Sequence, residues 1–206
     1  MPNPDPLVKP TPIADLRPTQ ITVGMREVAT KRLRWRKEHG KNAAEFLGSH
    51  MIPVVLGPKN RPYVVDHHHL ALALHQEKVP KVLVTVISDL SHLSKDAFWF
   101  VLDNRAWMHP FDDKGARRPY SAIPDSIPGL VDDPFRSLAG ALRDLGGYAK
   151  EVAPFSEFLW ADFLRRHIPR KMVESNFAKA LEKGLALGRS GGAVYLPGWC
   201  GPASDD

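Results

Sequence analysis

The spacing of apolar side chains predicts a helix and a hairpin in the first third of the chain. Over residues 24–39 apolar side chains recur at helical spacing, and Gly40 is a suitable residue to end that helix. Residues 52–56 and 62–65 are rich in β-forming side chains and are separated by Gly-Pro-Lys-Asn, which is typical of a turn. These two runs therefore predict a β-hairpin.

After the hairpin the pattern predicts one more helix and strand before the chain becomes helical. Asp66 is a suitable N-cap for a helix over residues 67–76. Residues 82–87 are the clearest strand, and residues 94–108 follow in a helical rhythm. Residues 111–134 form a long loop rich in Pro, Asp, Gly and Arg, which favours an ordered or functional segment. Three further helices are predicted over residues 135–145, 156–167 and 173–187.

Proline content and element type divide the chain into three parts. Residues 1–12 are rich in proline and predict an extended arm, because proline removes a backbone donor and disfavours helix before it. Residues 13–90 form a predicted core, and residues 91–206 form a predicted helical extension packed on that core. The expected fold class is α+β, a small mixed sheet with flanking helices plus a C-terminal helical region.

Composition limits the compartments and sites that are open to the protein. The chain has 206 residues, of which 43% are hydrophobic, so it is long enough to bury a core. Its one cysteine, Cys200, allows no internal disulfide and no cysteine-based metal site. No segment reaches the ~20 apolar residues that span a bilayer, and the first residues lack the apolar run of a signal peptide. We therefore expect a soluble, cytoplasmic protein that does not bind membranes.

One cluster of basic residues stands out from a formal net charge of +5. It extends from Arg26 to Lys41 and contains seven basic residues opposed by Glu27 and Glu38. A solvated face of an amphipathic helix is the favoured interpretation, and a nucleic-acid-binding surface is the alternative.

The sequence Asp66-His67-His68-His69 is the local arrangement with the clearest chemical use. A strand followed by a helix N-terminus presents unpaired N–H groups and the positive end of the helix dipole, which suit a phosphate group. Imidazoles add hydrogen bonds or proton transfer near neutral pH. Successive helical side chains point about 100° apart, so the three rings cannot share one metal ion. The alternative is that some of these rings only cap or line the junction between hairpin and helix.

These elements together resemble the ParB/sulfiredoxin superfamily, and within it the ParB-like nuclease branch. The resemblance rests on the order and spacing of several motifs in the core region, residues 13–90: Leu-Arg-Pro-Thr-Gln at 16–20, Val-Gly at 23–24, the hairpin, the Asp-His-His turn with its Leu-Ala-Leu-Ala helix, and the strand at 81–86. Residues 132–140 and 160–165 also resemble the C-terminal helical region of that branch.

The resemblance implies a role for the turn after the second hairpin strand. In proteins of this superfamily the turn holds nucleotide phosphates: ParB proteins bind CTP, sulfiredoxins use ATP, and related free-serine kinases use ADP or ATP. It implies that His68 is catalytic and that Asp66, His67 and His69 bind phosphate. Relatives commonly carry Gly where this chain has His67 and Arg where it has Leu70. The missing arginine removes a bidentate phosphate clamp, and the cations expected to compensate are Arg17, Arg26 or Arg117.

Two further residues and two carboxylate pairs complete the candidate set. Glu27 is expected to act as general base by analogy with the related kinases, or else to be a surface carboxylate near a helix N-terminus. Gln20 is expected to bind a ligand or to cap a turn. Mg²⁺ commonly accompanies phosphoryl transfer, and its candidate oxygen ligands are Asp112-Asp113 and Asp132-Asp133, which are alternatively capping residues.

The leading functional hypothesis is an enzyme that acts on a phosphate bond. It would transfer phosphate from a nucleotide to a small acceptor or hydrolyse a phosphodiester, with a nucleotide or small phosphorylated compound as partner. The alternative is a non-catalytic nucleotide-sensing or DNA-associated regulatory module. A third hypothesis is a vestigial site with the C-terminal helices as an interaction surface, and the sequence leaves the oligomeric state open.

Overall fold

The computed structural model describes residues 7–202, which form two compact units. The first unit contains the chain up to Val23 and Val28–Val131, and the second contains Gly24–Glu27 and the chain from Asp132 onward. The predicted fold class is confirmed: the protein is α+β, with a five-stranded mixed sheet and several helices.

The first unit is built on the five-stranded sheet, in the order β1-β6-β4-β5-β2. The predicted hairpin is confirmed, since β4 and β5 pair antiparallel with Val54 opposite Val64. β6 pairs parallel with β4 and antiparallel with β1, and β2 pairs parallel with β5. The strands of this sheet are β1 (Leu7–Pro12), β2 (Arg17–Pro18), β4 (Ile52–Gly57), β5 (Arg61–Val64) and β6 (Lys81–Asp89). Two short strands, β3 (Thr22–Val23) and β7 (Val131–Asp132), form a separate pair.

Three helices accompany this sheet. Helix α1 (Met25–Ser49) is kinked at Asn42, α2 is His68–Gln76, and α3 is Lys95–Asn104. An aromatic cluster packs α3 against the sheet, with the rings of Tyr63 and Phe98 4.6 Å apart. Apolar burial of this kind stabilises the sheet and fixes the end of the hairpin from which α2 begins.

The structure places both boundaries of this unit differently from the sequence prediction. From Leu7 the predicted arm is strand β1, and residues 1–6 lie outside the described residues. Prolines are tolerated in β1 because it lies at the edge of the sheet. At the other end, residues 91–131 group with the core, since Ile123 of the long loop is buried in the aromatic cluster and the Tyr120 hydroxyl donates to Asp103 at 2.8 Å.

The second unit is a helical bundle with its own apolar core. Its core is centred on Trp160, whose ring stacks on Tyr148 at 4.3 Å and whose Nε1 donates to the Pro197 carbonyl at 2.8 Å, so the C-terminal segment folds back on this unit. The helix predicted over 173–187 is divided at Asn176. Its helices are α4 (Pro134–Asp144), α5 (Ser156–His167), α6 (Arg170–Ser175) and α7 (Phe177–Gly188). Among residues 7–202, none of the helices has the length and apolarity needed to cross a bilayer.

Candidate functional site

Helix α2 begins one residue later than predicted, and its cap is different. The cap residue is His67, in the left-handed conformation at φ 66° and ψ 26°, and not Asp66. Asp66 is exposed, and its Oδ1 accepts the N–H of His67 at 2.6 Å. The first intrahelical bond runs from the N–H of Ala71 to the carbonyl of His67 at 2.9 Å. The N–H groups of residues 68–70 therefore point out of the amino end of α2, where the helix dipole is positive.

A cleft lies at this amino end of α2, and its charged lining is cationic. Lys31 and Arg34 lie three residues apart on α1 and so share a helix face. The segment after the kink adds His50, which stacks on Phe46 at 4.3 Å between ring centroids. The complete lining is Lys31, Arg34, Phe46, His50, His67 and Leu70. The cleft thus combines a helix N-terminus, two cationic side chains and two imidazoles, and among the side chains that the structure describes no carboxylate lines it.

His67 is the histidine of the predicted triplet that lines the cleft. Its ring Nδ1 lies 3.1 Å from the carbonyl oxygen of Met51. A carbonyl only accepts, so Nδ1 carries the proton in that bond and Nε2 is the nitrogen left for a ligand. Left-handed backbone costs about 1–3 kcal/mol at a residue with a side chain. His67 is therefore held in a strained conformation by its neighbours.

His68 and His69 lie in the interior, at 3% and 8% exposure. The Nε2 of His68 accepts the backbone N–H of Thr19 at 3.1 Å, and the Thr19 hydroxyl donates to the Val64 carbonyl at 2.7 Å. A ring nitrogen that accepts an N–H bond is not available to take a proton from a substrate. The geometry indicates that His68 tethers residues 17–20 to α2, and its catalytic role stays a prediction.

Comparison with known proteins settles the family. The family model described as "Putative ParB-like nuclease" matches residues 9–166. The chain belongs to the ParB-like nuclease family. The chain is also similar to protein Atu1540 from Agrobacterium tumefaciens, for which there is a crystal structure. The two sequences are 52% identical, and the two structures superpose with a TM-score of 0.90 over 97% of this chain and 99% of that chain. No curated protein sequence matches the chain significantly.

For this member of the ParB-like nuclease family, the arginines expected to replace the missing phosphate clamp have other partners. Arg17 pairs with Asp125, and Arg117 pairs with Asp103. Arg26 belongs to the second unit, where its guanidinium carbon lies 3.9 Å from the centroid of the Phe177 ring. None of the three lines the cleft at the start of α2. The cations of that cleft are Lys31 and Arg34.

The basic run on α1 is partly neutralised within the protein. Glu77 at the end of α2 accepts from Arg32 Nε at 2.7 Å and from Arg36 Nε and Nη2 at 2.7 and 2.8 Å. The hydrogen bonds from Arg36 and then Arg32 lower the pKa of Glu77 to about 2, so this carboxylate stays ionised at neutral pH. The interaction ties α1 to α2, the two helices that form walls of the cleft. It also favours the interpretation of the basic run as a structural and solvated face.

Gln20 and Glu27 lie in different units. The side chain of Gln20 is buried, and its Nε2 donates to the Thr22 carbonyl at 2.7 Å. This bond favours the alternative that Gln20 caps a turn. Glu27 lies in the first turn of α1 and is grouped with the second unit, where its Oε2 is buried. The surface alternative for Glu27 is therefore disfavoured.

The aspartate pairs serve as caps and ion-pair partners. Asp112 Oδ1 accepts the N–H groups of Lys114 and Ala116, both at 2.9 Å. Asp133 caps α4 through Phe135 and accepts from Arg165 Nη2 at 2.5 Å. Within residues 7–202 no group of three or more His, Cys, Asp or Glu side chains could hold a metal ion. A role of these aspartates in binding Mg²⁺ stays a prediction.

Sequence reasoning missed the cations and the aromatic wall of the cleft. The sequence shows Lys31 and Arg34 as two members of the basic run. Their spacing places them on one face of the helix, but it does not show that this face lines the cleft. Phe46 and His50 gave no signal, because their approach to His67 depends on the kink at Asn42 and on the hairpin. Local sequence patterns carry no information on such a contact between separate elements.

Proposed function

We propose that this protein is an enzyme that binds nucleotide phosphates at the amino end of α2 and catalyses phosphoryl transfer or phosphodiester hydrolysis. The observation that carries the proposal is the cleft, where Lys31 and Arg34 converge with His67 on a helix N-terminus. Phosphoryl-transfer sites act chiefly by positioning the phosphate and neutralising its charge. A cationic cleft without a lining carboxylate suits that task.

Within this proposal each part of the cleft has a chemical role. The first-turn amides of α2 and the helix dipole hold phosphate oxygens. Lys31 and Arg34 neutralise the remaining charge and take over from the arginine that relatives carry at the Leu70 position. Nε2 of His67 donates a hydrogen bond when the ring is protonated or accepts a proton when it is neutral. Glu27 is not part of the lining of this cleft, and its proposed role as proton acceptor rests on the family resemblance alone.

The proposed ligands are ATP, ADP or CTP, each with Mg²⁺ carried by its phosphates. The alternative of a non-catalytic DNA-associated module has less support, because Arg32 and Arg36 of the basic run are already paired with Glu77. DNA binding that depends on phosphate contacts also weakens steeply with salt. The two hypotheses therefore differ in ligand and in salt dependence.

Isothermal titration calorimetry on the full chain tests the proposal. ATP, ADP, CTP and a short oligonucleotide are titrated with and without Mg²⁺ at low and high salt, and turnover of each nucleotide is followed by release of inorganic phosphate. We expect one of the nucleotides to bind and to be consumed. Absence of heat and of turnover with all three nucleotides would rule the proposal out, and binding of the oligonucleotide alone would favour the regulatory module.

The substitution His67→Gly separates the strain of His67 from its chemistry. Glycine adopts left-handed backbone without penalty, so we expect the variant to unfold at an equal or higher urea concentration than the wild type. Loss of the imidazole is expected to weaken nucleotide binding about tenfold, the effect of one hydrogen bond to a charged group. Binding of unchanged strength in the glycine variant would exclude His67 from the site, and His92→Gly is the exposed control.

A further inference from the structure

The second unit contains a buried cation with unsatisfied donors. Arg136 on α4 is 4% exposed, and its guanidinium carbon lies 3.4 Å from the centroid of the Phe158 ring. Its Nε and Nη1 have no hydrogen-bond partner among the described residues. Buried donors without acceptors cost about 1–3 kcal/mol each, and more on a charged group. A charge in this position persists only where carboxylates compensate it.

Two carboxylates converge on the face of α4 that carries Arg136. Gly140 follows Arg136 by four residues and so lies one turn further along the same face. A Cβ atom on Gly140 would lie 3.2 Å from Glu157 Oε1 and 3.5 Å from Glu27 Oε2. Both of those oxygens are buried. The absence of a side chain at Gly140 therefore lets the carboxylates from α5 and from the start of α1 approach the same point.

Two arginines supply positive charge around this point. Arg143 Nη1 donates to Glu157 Oε2 at 2.9 Å, so Glu157 has a cation of its own. Burial lowers the pKa of Arg136, and the charges of Glu157 and then Glu27 oppose that effect. Two buried carboxylates that converge cannot both remain ionised without a cation beside them. The titratable groups whose charges act on Arg136 in this unit are Glu157, Glu27, Asp133 and Tyr148.

We infer that Arg136 is a positioning residue for Glu27, and that it keeps the Glu27 carboxylate ionised and in place at the start of α1. The inference deepens the proposed function and rests on it for the assignment of Glu27 as proton acceptor. Stacking on Phe158 fixes the guanidinium plane, so its charge is presented from one direction. Glu157 is the other carboxylate near Gly140, and its ion pair with Arg143 offsets its negative charge.

The experiment is a carbon-13 NMR titration of the glutamate carboxyls of the full chain, with Glu27 assigned from the spectrum of Glu27→Gln. In Arg136→Met we expect the titration midpoint of Glu27 to rise by about one pH unit or more, the effect of losing an adjacent opposite charge. In Arg136→Lys the midpoint is expected to return toward the wild-type value, because the charge is restored. Arg166→Met is the matched control, since Arg166 is exposed and pairs with Asp162, so the Glu27 midpoint should hardly change.

The outcomes separate this inference from the proposed function. An unchanged Glu27 midpoint in Arg136→Met overturns the inference, whether or not nucleotides bind. A raised midpoint in a protein that binds and consumes no nucleotide sustains the inference and removes only the catalytic assignment. If Arg136→Met does not fold, Glu157→Gln provides the test: loss of the neighbouring negative charge should lower the Glu27 midpoint, and no change would contradict the shared environment.

Discussion

Replacing Lys31 and Arg34 together with glutamine is expected to weaken nucleotide binding by about 100-fold or more. Each side chain contributes a charge-assisted contact of about 1.5–3 kcal/mol to a bound phosphate, and 1.4 kcal/mol corresponds to a factor of ten. The effect is large because both side chains line the cleft, whereas Arg17 and Arg117 do not. The dissociation constants of the variant and the wild type are measured by calorimetry, with the nucleotide that binds the wild type most tightly.

A double variant with the same change of net charge separates a local contact from a general electrostatic effect. Lys171 and Lys183 are exposed and do not line the cleft, so Lys171→Gln with Lys183→Gln is expected to change the dissociation constant less than about threefold. Equal losses in the two double variants would show that net charge, and not the cleft, governs binding. The thermal midpoint of each variant verifies that the fold is retained, since Arg34 also forms an ion pair with Glu38 on the same helix.

Replacing His68 with alanine is expected to destabilise the protein by about 2–4 kcal/mol. The substitution removes a buried ring and leaves the backbone N–H of Thr19 without its acceptor. An unsatisfied buried donor costs about 1–3 kcal/mol, and the cavity left by the ring adds to that loss. Urea unfolding followed by tryptophan fluorescence measures the effect.

The exposed His92 offers the matched control, and His92→Ala is expected to change stability by less than about 0.5 kcal/mol. A catalytic role for His68, which the family resemblance implies, predicts the reverse: the variant would lose activity and keep its fold. A variant of unchanged stability that has lost nucleotide turnover would therefore restore the catalytic assignment of His68 and contradict the tether.

Elements with a local signal could be predicted from the sequence. The hairpin and the start of α2 follow from β-rich runs, turn residues and a helical repeat, all within short windows. Strand β1 could not be predicted in this way, because prolines at 10 and 12 indicate an unpaired arm unless the strand lies at a sheet edge. That condition depends on pairing with β6, which lies about 70 residues further along the chain.

The sequence predicts the segment that opens α2 at the cleft, but it does not predict which of its histidines line the cleft. The Asp-His-His-His turn does open a helix, yet the left-handed backbone of His67 rotates this residue to the cleft and directs the next two inward. Which histidine lies inside depends on Thr19, which is 49 residues away from His68.

The choice of phosphate-binding cations is a tertiary property as well. The sequence shows many arginines, but it does not show that Asp125 and Asp103 engage two of them. It also does not show that the kink in α1 brings Phe46 and His50 to the same cleft as Lys31. Charge spacing on a helix predicts a shared face, and only the fold determines what that face meets.

Titration of the full chain with ATP and Mg²⁺, followed by amide nitrogen-15 NMR, tests most directly whether phosphate docks at the start of α2. We expect the largest chemical-shift changes at the amides of His68, His69 and Leu70 and at the side chains of Lys31 and Arg34, saturating with the calorimetric affinity. Saturable changes confined to other parts of the chain, with these amides unmoved, would contradict the account.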